Sequence, residues 1–119
     1  MRRHCIFLIF LTLSAGAVLL SWAHAETPPR HIEVTAKRFS FEPAEITLKK
    51  GEPVDLVLKS MDVAHGVRFR GLNVEVKAAK GGWGEVHFTP DQTGTFVGHC
   101  SVFCGAGHGS MMLTLHVVD

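Results

Sequence analysis

Residues 98–112 read Gly-His-Cys-Ser-Val-Phe-Cys-Gly-Ala-Gly-His-Gly-Ser-Met-Met, so fifteen positions hold two cysteines, two histidines and two methionines. Within them Cys100, Cys104, His108 and Met111 follow a Cys-x3-Cys-x3-His-x2-Met spacing. One curled loop with these intervals can converge all four side chains on a point, and Gly105, Gly107 and Gly109 permit the tight backbone this needs. Thiolate and thioether are soft donors and imidazole is borderline, a set that suits copper better than calcium or magnesium. Asp62-Val63-Ala64-His65 follows an apolar stretch, where a loop can bring a second imidazole to the same place.

Two imidazoles, a thiolate and a weak axial thioether make a blue-copper ligand set. This sequence has that set plus one cysteine, and a second thiolate allows both sulfurs to bridge two copper ions. Two other readings of Cys100 and Cys104 stand beside this one. A disulfide is the default for two cysteines in an oxidising compartment. A zinc Cys2His2 site uses the same four strong donors but leaves Met111 without a role. Asp62 reads either as a partner that orients a ligating histidine or as an ordinary turn aspartate. His99 adjoins Cys100, but alternation from Thr95 points it to the other face. Met112 reads as a packing or solvent-facing side chain, and His31, His87 and His116 as solvated strand histidines. Trp83, set between glycines, is expected to pack, with lining of the site or of a docking face as its sharper role. Arg68 and Arg70 flank Phe69 and can bias partner choice.

The elements that must hold this loop are strands. Ile32, Val34 and Ala36 alternate with Glu33, Thr35 and Lys37, and Phe39 and Phe41 continue the spacing before Pro43. Ile46 with Leu48 marks a second element, closed by Lys50-Gly51-Glu52-Pro53. Val54–Leu58 is a third, and Val67-Arg68-Phe69 a fourth. Gly81-Gly82 precedes a strand through Val86 and Phe88. Pro90–Gly94 is a turn into Thr95-Phe96-Val97, and Leu113–Val118 ends the chain. Short strands with a turn every few residues predict an all-β Greek-key barrel or sandwich. The ligand-rich loop joins its last two strands and is therefore held at both ends.

The chain has 119 residues, the length of one domain. Met1-Arg2-Arg3-His4, the apolar run Cys5–Trp22 and Ala23-His24-Ala25 read as a secretory signal over residues 1–25, with an uncleaved membrane anchor as the alternative. Either reading puts residues 26–119 outside the cytoplasm, periplasmic or secreted, and membrane-tethered only if the segment stays. Residues 26–30 form a short proline-containing lead-in and 31–119 the domain. Cys5 leaves with the signal, so Cys100 and Cys104 are the cysteines that remain. Removing Arg2 and Arg3 from the 12 Lys and Arg leaves 10 against 11 Asp and Glu, a net charge of −1. With no basic stripe, nucleic acid is excluded as a partner. The sequence holds no catalytic triad, paired-carboxylate site or phosphate loop, so no enzyme in its own right is expected.

The run Cys-Ser-Val-Phe-Cys-Gly-Ala-Gly-His-Gly-Ser-Met, residues 100–111, resembles the loop of the dinuclear copper A centre in subunit II of cytochrome c oxidase and in nitrous oxide reductase. Ser60-Met-Asp-Val-Ala-His-Gly66 resembles the first-histidine segment of the same family. The similarity covers most of residues 44–118 and implies a cupredoxin barrel. It implies that Cys100 and Cys104 bridge two copper ions in a mixed-valence centre. His65 and His108 would bind one copper each, Met111 would be a weak axial ligand, and the backbone carbonyl of Val102 would serve the other copper. The implied activity is one-electron transfer from a donor such as a c-type cytochrome to an acceptor oxidoreductase. Oxidase subunit II usually has glutamate where this chain has Val102, and that side chain helps bind magnesium against the catalytic subunit. Valine keeps the carbonyl and loses the carboxylate, which weakens the case for docking to an oxidase core. Copper storage or delivery, and an accessory subunit of a membrane-bound terminal oxidase, are the alternative functions.

Overall fold

The computed structural model describes residue 21 and residues 27–119. Apart from that one position, the signal or anchor read at residues 1–25 lies outside the described residues. Among those described, the chain runs through nine strands: β1 (Arg30–Lys37), β2 (Ser40–Glu42), β3 (Glu45–Lys49), β4 (Val54–Ser60), β5 (His65–Phe69), β6 (Val74–Ala78), β7 (Trp83–Phe88), β8 (Gly94–Cys100) and β9 (Met112–Val118). Two short 3-10 turns, Arg70–Leu72 and His108–Ser110, are the helical elements. No helix among the described residues is long and apolar enough to cross a membrane.

The strands form two sheets, ordered β2-β1-β4-β7 and β3-β9-β8-β5-β6. Two parallel pairings give the Greek-key character. β1 runs beside β4 with Ile32 opposite Leu56, and β3 beside β9 with Ile46 opposite Leu115. The other pairs are antiparallel. Alternation decides what goes inside, because successive strand side chains point to opposite faces. Val34 and Ala36 of β1, Ile46 and Leu48 of β3, and Leu113, Leu115 and Val117 of β9 are all buried, with more open residues between them. The near-continuous apolar run of β4 is buried at Val54, Leu56, Val57 and Leu58. The core between the sheets is filled by these side chains, apart from Val57 on the outer face of β4, with Phe41, Val67 and Phe69.

The strand expectations from alternation match, with three differences. β6 is an addition to them, although Val74-Glu75-Val76-Lys77-Ala78 alternates as β3 does and buries Val74, Val76 and Ala78. Arg30 is already the first residue of β1, its backbone N–H donating to the carbonyl of Pro53 and its guanidinium to that of Thr47. Phe39 leaves the alternation that buries Phe41. It lies in the β1–β2 turn, 39% exposed, and packs on the ligand loop. Where β7 passes close to β6 the backbone leaves no room for a side chain. A Cβ on Gly84 would collide with the carbonyl oxygen of Lys77.

Candidate metal centre

Cys100 ends β8 and Met111 immediately precedes β9, so the loop 101–111 begins and ends on neighbouring strands of one sheet. The backbone N–H of Cys100 donates to the carbonyl of Met111 at 3.0 Å, closing the loop at its neck. β5 lies on the other side of β8, with Val67 opposite Cys100. Continuing this antiparallel register brings His65 beside the start of the loop, and the Ser101 N–H donates to the carbonyl of Gly66 at 3.1 Å there. His65 is thus the first residue of β5, inside the sheet rather than on the loop expected from sequence. Its side chain shares the inward face with Val67 and Phe69 and is fully buried.

Around this point the sulfur atoms gather. Cys100 Sγ and Cys104 Sγ lie 3.7 Å apart, both buried and unbonded. Cys104 Sγ is 3.7 Å from His108 Nδ1 and 3.8 Å from the sulfur of Met111. The Cys100 thiol donates to the carbonyl of Val102 at 3.2 Å, so that carbonyl faces the sulfur. The donor atoms of His65, Cys100 and Cys104 all lie within 4.8 Å of one another. The structure therefore brings together His65, Cys100, Val102, Cys104, His108 and Met111, the residues singled out in the sequence. His99 projects to the outer face, Met112 is exposed, and Trp83 is 65% exposed on β7 rather than packed.

The electrostatics of the cage fit a bound cation. His65 Nε2 meets Asp62 Oδ1 at 2.6 Å, whereas its Nδ1 is buried without any hydrogen-bond partner. A buried polar atom left unsatisfied costs roughly 1–3 kcal/mol, and a metal ion would satisfy it. Burial and the neighbouring Cys100 thiol push the Cys104 thiol up to about 11, so a cation is needed to favour its thiolate near neutral pH. The thiols, thioether and free imidazole nitrogen match a soft or borderline metal. Asp62 itself is pulled down to about 2, first by the backbone N–H of Arg38 and further by the His65 ring and the N–H of Val63. It therefore stays anionic and holds the ring by its Nε2–H, leaving Nδ1 for a metal.

Two residues of the site escape a sequence reading. Arg38, in the β1–β2 turn, donates its Nε–H to the carbonyl of Cys104 at 2.8 Å, and its backbone N–H reaches Asp62 Oδ2 at 2.8 Å. Phe39 lies under the loop. A Cβ on Gly107 would stand 2.5 Å from the Phe39 ring, and one on Gly105 would stand 2.9 Å from it. Gly105 also has φ +136°, a conformation L side chains rarely adopt. Gly109 has open space around it and no positive φ, so its expected role in tightening the backbone is not seen. A scattered arginine and a strand-like phenylalanine carry no sequence signal for these contacts. At the loop tip Phe103 is 78% exposed and its ring centroid lies 5.6 Å from that of half-buried His108.

Comparison with known proteins agrees with this fold. Cytochrome c oxidase subunit 2 of Thermus thermophilus is 30% identical over 88 residues, 74% of this chain and 65% of its own length. A second subunit 2 sequence from a named strain of Thermus thermophilus is also 30% identical, and the matched share of its own length is 52%. The chain thus spans between half and two thirds of the curated relatives it matches. Among solved structures, a heme-copper terminal oxidase dimer seen by cryo-electron microscopy contains a chain 30% identical, with TM-score 0.67, 75% of this chain covered and 65% of that one. The periplasmic domain of cytochrome oxidase subunit II of Bradyrhizobium japonicum has the same fold at 20% identity and TM-score 0.70, covering 79% of this chain and 87% of that one. The family described as "Cupredoxin-like domain" matches residues 6–112. The protein belongs to the cupredoxin-like domain family.

Proposed function

We propose that this protein is a one-electron carrier that works outside the cytoplasm with a dinuclear copper centre in its 100–111 loop. The carrying observation is the pair of buried thiols 3.7 Å apart beside a buried imidazole nitrogen that has no partner. In this reading Cys100, Cys104, His65 and His108 would hold the coppers, with Met111 and the carbonyl of Val102 as weaker donors. Bound there, the copper pair supplies a reversible one-electron couple shared over two ions. The chain's own residues do the rest. Asp62 orients His65, Arg38 and Phe39 fix the loop from below, and the apolar core excludes water from the sulfurs. A cage that keeps its shape in both redox states lowers the reorganisation that a transfer requires. His108 is only half-buried and is the imidazole ligand nearer solvent, which makes it the point of exchange with a donor such as a c-type cytochrome and with an acceptor oxidoreductase. The module has no catalytic role of its own.

The test is metal content with electron paramagnetic resonance on the reduced chain after copper loading. Two coppers per chain sharing one unpaired electron support the reading. One copper with a localised signal, or zinc taken in preference to copper, refutes it and moves copper handling forward. The 30% identity to an oxidase subunit favours a second reading, an accessory subunit of a terminal oxidase. Co-purification of the tagged protein with haem-containing subunits would support it, and recovery as a lone soluble chain would oppose it.

A further inference from the structure

A second constellation lies on the outer face of the other sheet. The register places His31, Asp55 and His87 in one row across β1, β4 and β7, with His31 opposite Asp55 and Asp55 opposite His87. The next outward row is Glu33, Val57 and Glu85. Two imidazoles and three carboxylates thereby share one patch of an otherwise ordinary solvent face. The donor atoms of His31, Asp55 and Glu85 all lie within 4.8 Å of one another. His87 joins them, its Nδ1 bonded to Asp55 and its Nε2 3.8 Å from Glu85. Glu33 stands 3.9 Å from His31 and pairs with Lys59 at 2.8 Å.

Charge and solvation point the same way. Lys59 offsets Glu33, which leaves Asp55 and Glu85 facing two imidazoles. These two carboxylates are only 21% and 31% exposed, so part of their hydration is already lost. Two partly desolvated carboxylates balance one dication, and an adjacent imidazole supplies a nitrogen donor. Imidazole with carboxylate oxygens suits zinc or copper(II) rather than calcium, and it lacks the soft sulfur of the loop. The row also lies far from that loop. Asp55 is five residues before Ser60 at the loop end of β4, roughly 16 Å at strand rise, and it projects from the outer side of the sheet.

We propose that His31, Asp55 and Glu85 form a second metal site for a borderline divalent transition ion, zinc or copper(II), with His87 in reach as a further donor. An ion there ties together three strands of one sheet and leaves the sulfur loop untouched. The site does not depend on what the loop binds.

Histidine side-chain NMR on the full chain, titrated with Zn2+ alone, tests this, because it reads each imidazole separately. The His31 ring resonances should shift and saturate with one equivalent beyond whatever the loop takes. D55N and E85Q should each weaken the His31 midpoint by about tenfold or more while the His65 resonances stay as in the parent. His31 signals that do not move in millimolar Zn2+ overturn the proposal. So does a His31 midpoint unchanged in both variants. Should either variant lose its fold, H31Q, at an exposed position of β1, provides the same comparison, read at His87.

Discussion

Asp62 is the side chain on which the most geometry converges. It accepts from the backbone N–H groups of Arg38 and Val63 and meets His65 at 2.6 Å. Orienting carboxylates of this kind are worth about 10–100-fold in metal affinity. D62N should therefore lose roughly that much copper affinity, read by competition with a chelator, while the bound stoichiometry stays the same. The same carboxylate carries a pH dependence in the metal-free chain. Its folded value is held at about 2, below the ordinary 3.8. Its contribution to stability is thus fully present above its unfolded value and is lost as pH falls through the folded one. Denaturant midpoints measured from pH 5 down to pH 2 should fall less steeply in D62N than in the parent. His87 behaves oppositely. Asp55 first, with Glu85, raises its value, so its contribution is present below the unfolded imidazole value and disappears as pH rises through the folded one.

At the scale of elements, the β1–β2 turn and the ligand loop form one unit. Phe39 occupies the space that side chains at 105 and 107 would need. G107A should push its new methyl against that ring and destabilise by roughly 1–3 kcal/mol, the usual range for overpacking. F39A in the G107A background should recover part of this loss. Thermal or denaturant unfolding of the single and double variants measures the coupling, and simple additivity would show that ring and glycine do not meet. Arg38 binds the same two elements through the carbonyl of Cys104. R38A should cost about 1–3 kcal/mol, as for a hydrogen bond from a charged donor, and should release copper faster without changing how many coppers bind.

For the whole molecule, the cage is one part of a core that is mostly apolar. Cys100, Cys104 and Met111 belong to the same buried cluster as Leu56, Leu58, Phe41, Leu48 and Leu115, but aliphatic and aromatic side chains make up the larger part of it. The metal-free chain should therefore keep its β-sheet circular dichroism. Copper should raise its melting temperature by binding linkage rather than create the fold. A chain that is unfolded without copper would contradict this. L58A, at the centre of β4, should cost roughly 2–5 kcal/mol as a buried Leu-to-Ala cavity, with the copper spectrum of the folded fraction unchanged.

The sequence alone carried every feature whose cause is local. Strand alternation is a property of neighbouring residues, so Ile32-Val34-Ala36 or Ile46-Leu48 announces its buried face before any partner is known. The loop's donors lie within twelve consecutive positions, so their chemistry was legible from spacing, and a family resemblance supplied the Val102 carbonyl that spacing does not. The tertiary structure decided what depends on register between distant strands. His65 meets Cys100 because β5 pairs with β8, and Arg38 reaches Cys104 across 66 residues. β6 alternates too, in Val74-Glu75-Val76-Lys77-Ala78, and what the tertiary structure decided is its place beside β5. The outer row of His31, Asp55 and His87 exists only because β1 and β7 both pair with β4. Each of these side chains, taken alone in sequence, reads as a solvated residue on a strand, since proximity across a sheet leaves no mark on the residues beside it in the chain.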